Sequence, residues 1–155
     1  MTYLVGAEAP SESAGSRFRK LLNSPGILQL PGAHNGQAAL QARDAGFEAL
    51  YLSGAAMTAS MGLPDLGIIT IDQVELFIRQ IVRSSPLPLL VDGDTGYGQT
   101  LNALHVVRAF AESGAGVRHL EAPLLPESCG PVTSQRRRPP HQTAPPLAPQ
   151  RTPHG

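Results

Sequence analysis

Apolar and polar positions over the first 120 residues follow two alternating rhythms, helical spacing and short apolar runs, most of them closed by glycine or proline. Phe18, Leu21 and Leu22 set one apolar stripe on a predicted helix over 14–23. The run at 26–30 predicts a first strand ending at Pro31-Gly32, and the Ala-rich stretch 36–45 a helix closed by Gly46. Residues 49–53 read as the second strand. Val74, Phe77, Ile78 and Ile81 recur at helical spacing and predict a helix over 71–83, with Thr70 as its N-cap. The third strand is 87–91, the next helix 101–112, and the fourth strand 117–121. Strands alternating with helices in this way predict an α/β chain with a parallel sheet covered by helices.

Chemistry gathers where each predicted strand ends. LPLLVDGDTGYG, residues 87–98, closes an apolar strand with two aspartates and three glycines. Strand alternation puts residues i and i+2 on one face, so Asp92 and Asp94 are expected to approach one hard cation, with Gly93, Gly96 and Gly98 permitting close approach. Read alone, the same residues serve equally well as turn and capping groups. PGAHNG follows the first strand and SGAAMTASMGLPDLG the second, while the fourth carries His119 and Glu121 at i, i+2. Read without the other residues, Tyr51 is a core side chain, His119 a satisfied strand histidine and Cys129 an inert thiol. Their joint position at the carboxyl ends of parallel strands is where active sites of such sheets and barrels form.

Composition changes the picture mainly at the end of the chain. The 155 residues include 15 Pro and 16 Gly, and residues 131–155 hold seven of the prolines with no Asp, Glu, Ile, Phe, Tyr or Trp. Such a stretch buries too little apolar surface to offset its ordering entropy. The expected organisation is a flexible N-terminus (1–13), a folded part (14–130) and a disordered Pro/Arg-rich tail (131–155). Lys and Arg balance Asp and Glu at 12 each, so no global field favours nucleic acid, and Arg136, Arg137 and Arg138 without interleaved aromatics are a weak footprint for it. No run approaches the length of a membrane span and no signal peptide is evident; a soluble cytoplasmic protein is expected. The single Cys129 excludes an intrachain disulfide.

The segment PGAHNGQAALQARDAGFEALYLSGAAMTASMGLPDLGIIT, followed by LPLLVDGDTGYG, closely resembles the isocitrate lyase and phosphoenolpyruvate mutase superfamily, above all its 2-methylisocitrate lyases. The resemblance runs from about Phe18 to Gly114 and continues, altered, through LEAPLLPESCG. It implies a (β/α)8 TIM barrel of which only the first four β/α units are present, a half barrel. It also implies Mg2+-dependent cleavage of 2-methylisocitrate to pyruvate and succinate, a small-molecule tricarboxylate as partner, and a homo-oligomer. By the same resemblance Asp92 is the direct metal ligand, with Asp94, Asp65 and Glu121 acting through water. Ser53, Gly54 and Ala55 bind the substrate carboxylate, Tyr51 and His119 line its pocket, and Cys129 gives a proton to the succinate half.

Departures cluster after the fourth strand. Arg118 stands where the family has an apolar residue, and alternation with Leu120 points it toward the helix layer, a costly place for an unpaired charge. Ala122 replaces an acid, Glu127 a lysine and Pro131 a histidine. Exchanging a cation for an anion beside Cys129 disfavours its thiolate, so impaired turnover is expected. The missing later strands and the abrupt tail suggest a truncated copy of a lyase. Alternative readings are another superfamily enzyme, phosphonopyruvate mutase-like or an oxaloacetate decarboxylase, and a non-catalytic fragment. The Cys129-Gly130 pair, at the distance after Leu124-Leu125-Pro126 that the lyases show, argues against the other enzymes.

Overall fold

A computed structural model describes residues 10–98 and 100–120. Three parallel strands, β1 (Leu50–Leu52), β2 (Leu89–Asp92) and β3 (Val117–His119), form one sheet in the order β1-β2-β3. Leu50 pairs with Leu89 and Leu52 with Val91; Leu90 pairs with Val117 and Asp92 with His119. Around them lie α1 (Ala14–Leu22), α2 (Gly36–Asp44), α3 (Gly54–Ser60), α4 (Ile71–Ser84) and α5 (Thr100–Glu112). The strand-and-helix alternation read from the sequence is therefore present as an α/β fold with a small parallel sheet.

The sheet has two unlike faces. Leu50, Leu52, Leu89 and Val91 are fully buried and join Val74, Ile78 and Ile81 of α4 and Val106 and Phe110 of α5 in the core. Each such side chain contributes about 1.5–3 kcal/mol by leaving water. Tyr51, Leu90 and Asp92 alternate with them, are only half-buried, and form the other face. Helix α4 is the best specified helix. Thr70 accepts from Gln73 N–H while the Gln73 side chain accepts from Thr70 N–H, a complete capping box.

Two elements differ from the sequence reading. The first strand, expected at 26–30, is absent there: Ile27 is 92% exposed. Only Gly32 bridges Tyr51, with Tyr51 N–H donating to Pro31 C=O and Ala33 N–H donating to Tyr51 C=O. Pro31 has no N–H to give, and Gly26 adopts φ 106°, so the apolar run turns outward before the chain meets the sheet. Helix α3 falls where the sequence reading has only a loop; Ser53 caps it and its small residues sustain two turns.

At the N-terminal boundary, Ser13 caps α1 and the Glu12 carboxylate accepts from Ser16 and Lys20. Residues 131–155, read as a tail, lie outside the described residues, as do Glu121, Ala122, Glu127 and Cys129. No described helix is long and apolar enough to cross a membrane.

Candidate functional site

Parallel pairing brings the carboxyl ends of β1, β2 and β3 to one edge of the sheet. Asp92 is the last residue of β2, and three groups hold its carboxylate. Tyr51 Oη donates to Oδ2 at 3.2 Å, Gly54 N–H donates to the same oxygen at 3.2 Å, and Asp94 N–H donates to Oδ1 at 3.1 Å. A carboxylate with its position fixed from three directions is pre-oriented as a ligand.

Asp94 reaches this region by a route the sequence reading did not foresee. The strand stops at Asp92, Gly93 N–H donates to His119 C=O, and the chain turns as Gly96 N–H donates to Gly93 C=O. Asp94 sits at φ 51°, a left-handed conformation that Asp tolerates, and its Oδ1 accepts from Thr95 N–H. The turn, rather than strand alternation, brings the two aspartates together. Gly67 packs against Asp94, because a Cβ on it would lie 3.4 Å from Asp94 Oδ2.

Asp65 joins them from the 61–70 connection. A Cβ on Gly54 would lie 3.3 Å from Asp92 Oδ2 and 4.0 Å from Asp65 Oδ1, so the bare glycine leaves a small hollow with a carboxylate oxygen on two sides. Among the described residues, no three acidic, histidine or cysteine side chains stand close enough together to hold a metal ion between them. The donors present are hard carboxylate oxygens, a chemistry that fits a Mg2+ retaining several waters.

The remaining candidates among the described residues, Ser53, Gly54, Ala55 and His119, occupy the same edge. Ser53 Oγ accepts weakly from Ala56 N–H at 3.5 Å, which caps α3 and leaves the hydroxyl proton for another partner. The Gly54 N–H is engaged with Asp92, while Ala55 lies in the first turn of α3. His119 ends β3 as the register partner of Asp92 and is exposed. Arg118, one residue earlier, is half-buried, and its Nε finds no hydrogen-bond partner among the described residues. It lines a cleft of about 400 Å³ between α1, α5 and the end of β3, together with Phe18, Leu22, Val107 and Leu120.

Sequence reasoning missed the Tyr51–Asp92 hydrogen bond, because the two residues are 41 positions apart and only the β1–β2 register brings them together. It also missed the packing of Gly67 on Asp94, for which the sequence offers no signal beyond a glycine. For α3 a signal existed, since Ser53 followed by Gly-Ala-Ala has the form of an N-cap and its first turn.

The phosphoenolpyruvate phosphomutase family model matches residues 18–136. The chain belongs to this family. A 2-methylisocitrate lyase of Bacillus subtilis is 48% identical over 136 residues, covering 88% of this chain and 45% of the relative. Among solved structures, a 2,3-dimethylmalate lyase of the PEP mutase/isocitrate lyase superfamily superposes with a TM-score of 0.73 at 31% identity, covering 84% of this chain and 44% of the other. A phosphonopyruvate hydrolase solved with oxalate and Mg2+ gives a TM-score of 0.71 at 29% identity, with 76% and 41% coverage. The chain thus spans a little under half the length of the phosphomutase-family relatives it matches. The curated relatives of this chain in Bacillus subtilis and Halalkalibacterium halodurans are lyases by name.

Proposed function

We propose that the chain carries the metal and keto-acid side of a 2-methylisocitrate lyase site, cleaving 2-methylisocitrate to pyruvate and succinate. One observation carries this reading: Asp92, at the end of β2, is fixed by Tyr51, Gly54 and Asp94 beside Asp65, in a chain 48% identical to a 2-methylisocitrate lyase. The three strands and the bridge at Gly32 are, in this proposal, the first four strands of a (β/α)8 barrel. The enzyme is soluble and cytoplasmic, and acts as a homo-oligomer on a small tricarboxylate.

Each residue then has a task. The Asp92 carboxylate would hold Mg2+ directly, with Asp94, Asp65 and Glu121 bonding to its waters. When bound, that ion supplies Lewis-acid neutralisation of the negative charge developing on the pyruvate half. The Ser53 hydroxyl and the amide of Ala55 orient the substrate carboxylate, and the Gly54 amide is shared with Asp92. Tyr51 serves the pocket wall and the carboxylate of Asp92 at once. His119 faces the same edge and bonds polar oxygen of the substrate. Cys129 delivers a proton to the departing succinate carbanion. Glu127, two residues before it in the sequence, makes the thiol a weaker acid and so a poorer proton donor, and Pro131 removes a partner for the substrate, so turnover is low.

A coupled pyruvate-release assay with 2-methylisocitrate and Mg2+ tests the reading, with phosphonopyruvate and oxaloacetate as competing substrates. Slow, Mg2+-dependent pyruvate release from 2-methylisocitrate that disappears in Asp92→Asn is the expected result. Release from either competitor instead reassigns the reaction within the superfamily.

A further inference from the structure

The loop that follows Asp92 is held in a costly shape by contacts outside the acidic site. Asp94, Gly96, Tyr97 and Gly98 all adopt positive φ, at 51°, 89°, 57° and 141°. Glycine does so freely and aspartate tolerably, but a bulky aromatic residue at φ 57° is an outlier that its surroundings must enforce. Three contacts enforce it. The Tyr97 ring packs edge-on against Phe110, with centroids 6.4 Å apart and planes at 74°. Phe110 is fully buried in the core, so the anchor is rigid. Asn102 Nδ2 donates to Tyr97 C=O at 3.1 Å, tying the loop to α5. The first turns of α5 also press on the loop, since a Cβ on Gly96 would lie 3.0 Å from Ala103 Cβ and one on Gly98 2.7 Å from Asn102 Cγ.

We infer that Tyr97, seated on Phe110 and tied by Asn102, is the positioning residue that holds the 93–98 loop in the conformation presenting Asp94 beside Asp92. Tyr97 acts through the backbone. Released from Phe110, its φ relaxes to the negative region, the 93–96 turn opens, and Asp94 N–H leaves Asp92 Oδ1. The Asp92 carboxylate then keeps the Tyr51 and Gly54 donors alone, and Asp94 loses its fixed place. This inference rests on the reading of Asp92 and Asp94 as metal-facing groups.

Titration of the full chain with Mn2+, read by water-proton relaxation, tests it alongside amide hydrogen exchange over 93–98. Tyr97→Ala is expected to weaken Mn2+ binding about tenfold, in the range seen for outer partners of metal ligands. Tyr97→Phe keeps the ring on Phe110 and stays within about twofold of the natural chain. Asn102→Ala, at an exposed position, costs about fivefold, one hydrogen bond's worth. Loop amides exchange faster in Tyr97→Ala and Asn102→Ala while those of β1 and α4 keep their protection. Unchanged Mn2+ affinity in a folded Tyr97→Ala overturns the inference, as does a Tyr97→Phe as weak as the alanine variant. Should Tyr97→Ala not fold, Asn102→Ala decides alone, and an unaltered affinity there is equally fatal. Failure of the natural chain to bind Mn2+, or equal binding by Asp92→Asn, sinks the metal reading instead, and the exchange rates then decide whether Tyr97 holds the loop.

Discussion

The carboxyl ends of β2 and β3 sit side by side in one register, yet they are built to different standards. At the end of β2, Asp92 is held by a phenol and two backbone amides, and the loop beyond it is packed on α5. At the end of β3, His119 is exposed and Arg118 buries a guanidinium nitrogen that no described residue satisfies. Pre-orientation of a ligand comes from partners that were folded into place beforehand, and only the β2 end has them among the described residues. Register alone puts a residue at the right edge; it does not fix where the side chain points.

The largest effect expected from this contrast lies in paired substitutions at Asp92 and His119. Asp92→Asn removes one unit of negative charge from the proposed ligand while leaving its shape, and should lower Mn2+ affinity about a hundredfold or more, at the upper end of the range for metal-site partners. His119→Gln keeps a polar group at an exposed position and should change that affinity by less than about threefold. Metal titrations of both variants check the pair. Equal losses would show that the two strand ends act as one unit and erase the distinction drawn between them.

A smaller effect, of opposite sign, is expected at Arg118. Its Nε loses water on folding and gains no partner among the described residues. A buried unsatisfied donor costs about 1–3 kcal/mol, whereas an apolar side chain of similar length fills the same space without that penalty. Arg118→Met should therefore raise stability by about 1 kcal/mol in urea unfolding. A loss of stability would mean that the guanidinium is satisfied by residues beyond 120, and the β3 end would then be better built than its described portion indicates.

The same contrast explains what the sequence could disclose. Helices α2, α4 and α5 and strands β1 to β3 were legible because each has a dense apolar period or a local cap, as in Thr70 with Gln73. The position of Asp92 was legible because it ends an apolar run before glycine. The expected first strand failed because Gly26 and Pro31 bracket the run, and a positive φ at one end with a missing N–H at the other outweighs its apolar content. At the end of β2, the approach of Asp94 to Asp92 was expected from the sequence, but the geometry that produces it was not. Asp94 arrives by a left-handed turn, and Tyr51 meets Asp92 only through the sheet register. Such contacts depend on tertiary geometry that no local spacing encodes.

The weakest probe of the less well-built region is the ion pair that starts α1, the helix packed on β3. The side-chain hydrogen bond from Lys20 at 2.7 Å, aided by Ser16, holds the Glu12 carboxyl below its ordinary value of 4.5. A carboxyl lowered in the folded state stabilises it when ionised, so the contribution is fully present above pH 4.5 and fades as pH falls through the lowered folded value. Exposure screens the pair, and the effect on the whole chain is small. Glu12→Gln should accordingly show a slightly lower urea midpoint than the natural chain at pH 7, and the two should converge in strongly acidic buffer. Added salt should narrow the difference at pH 7, because it screens Lys20 from Glu12. A gap that persisted unchanged in acid, where both side chains are neutral, would show that the charge of Glu12 is not what the helix uses. In that case α1 would be anchored on β3 by the Ser13 cap and the burial of Phe18, with the ion pair adding nothing.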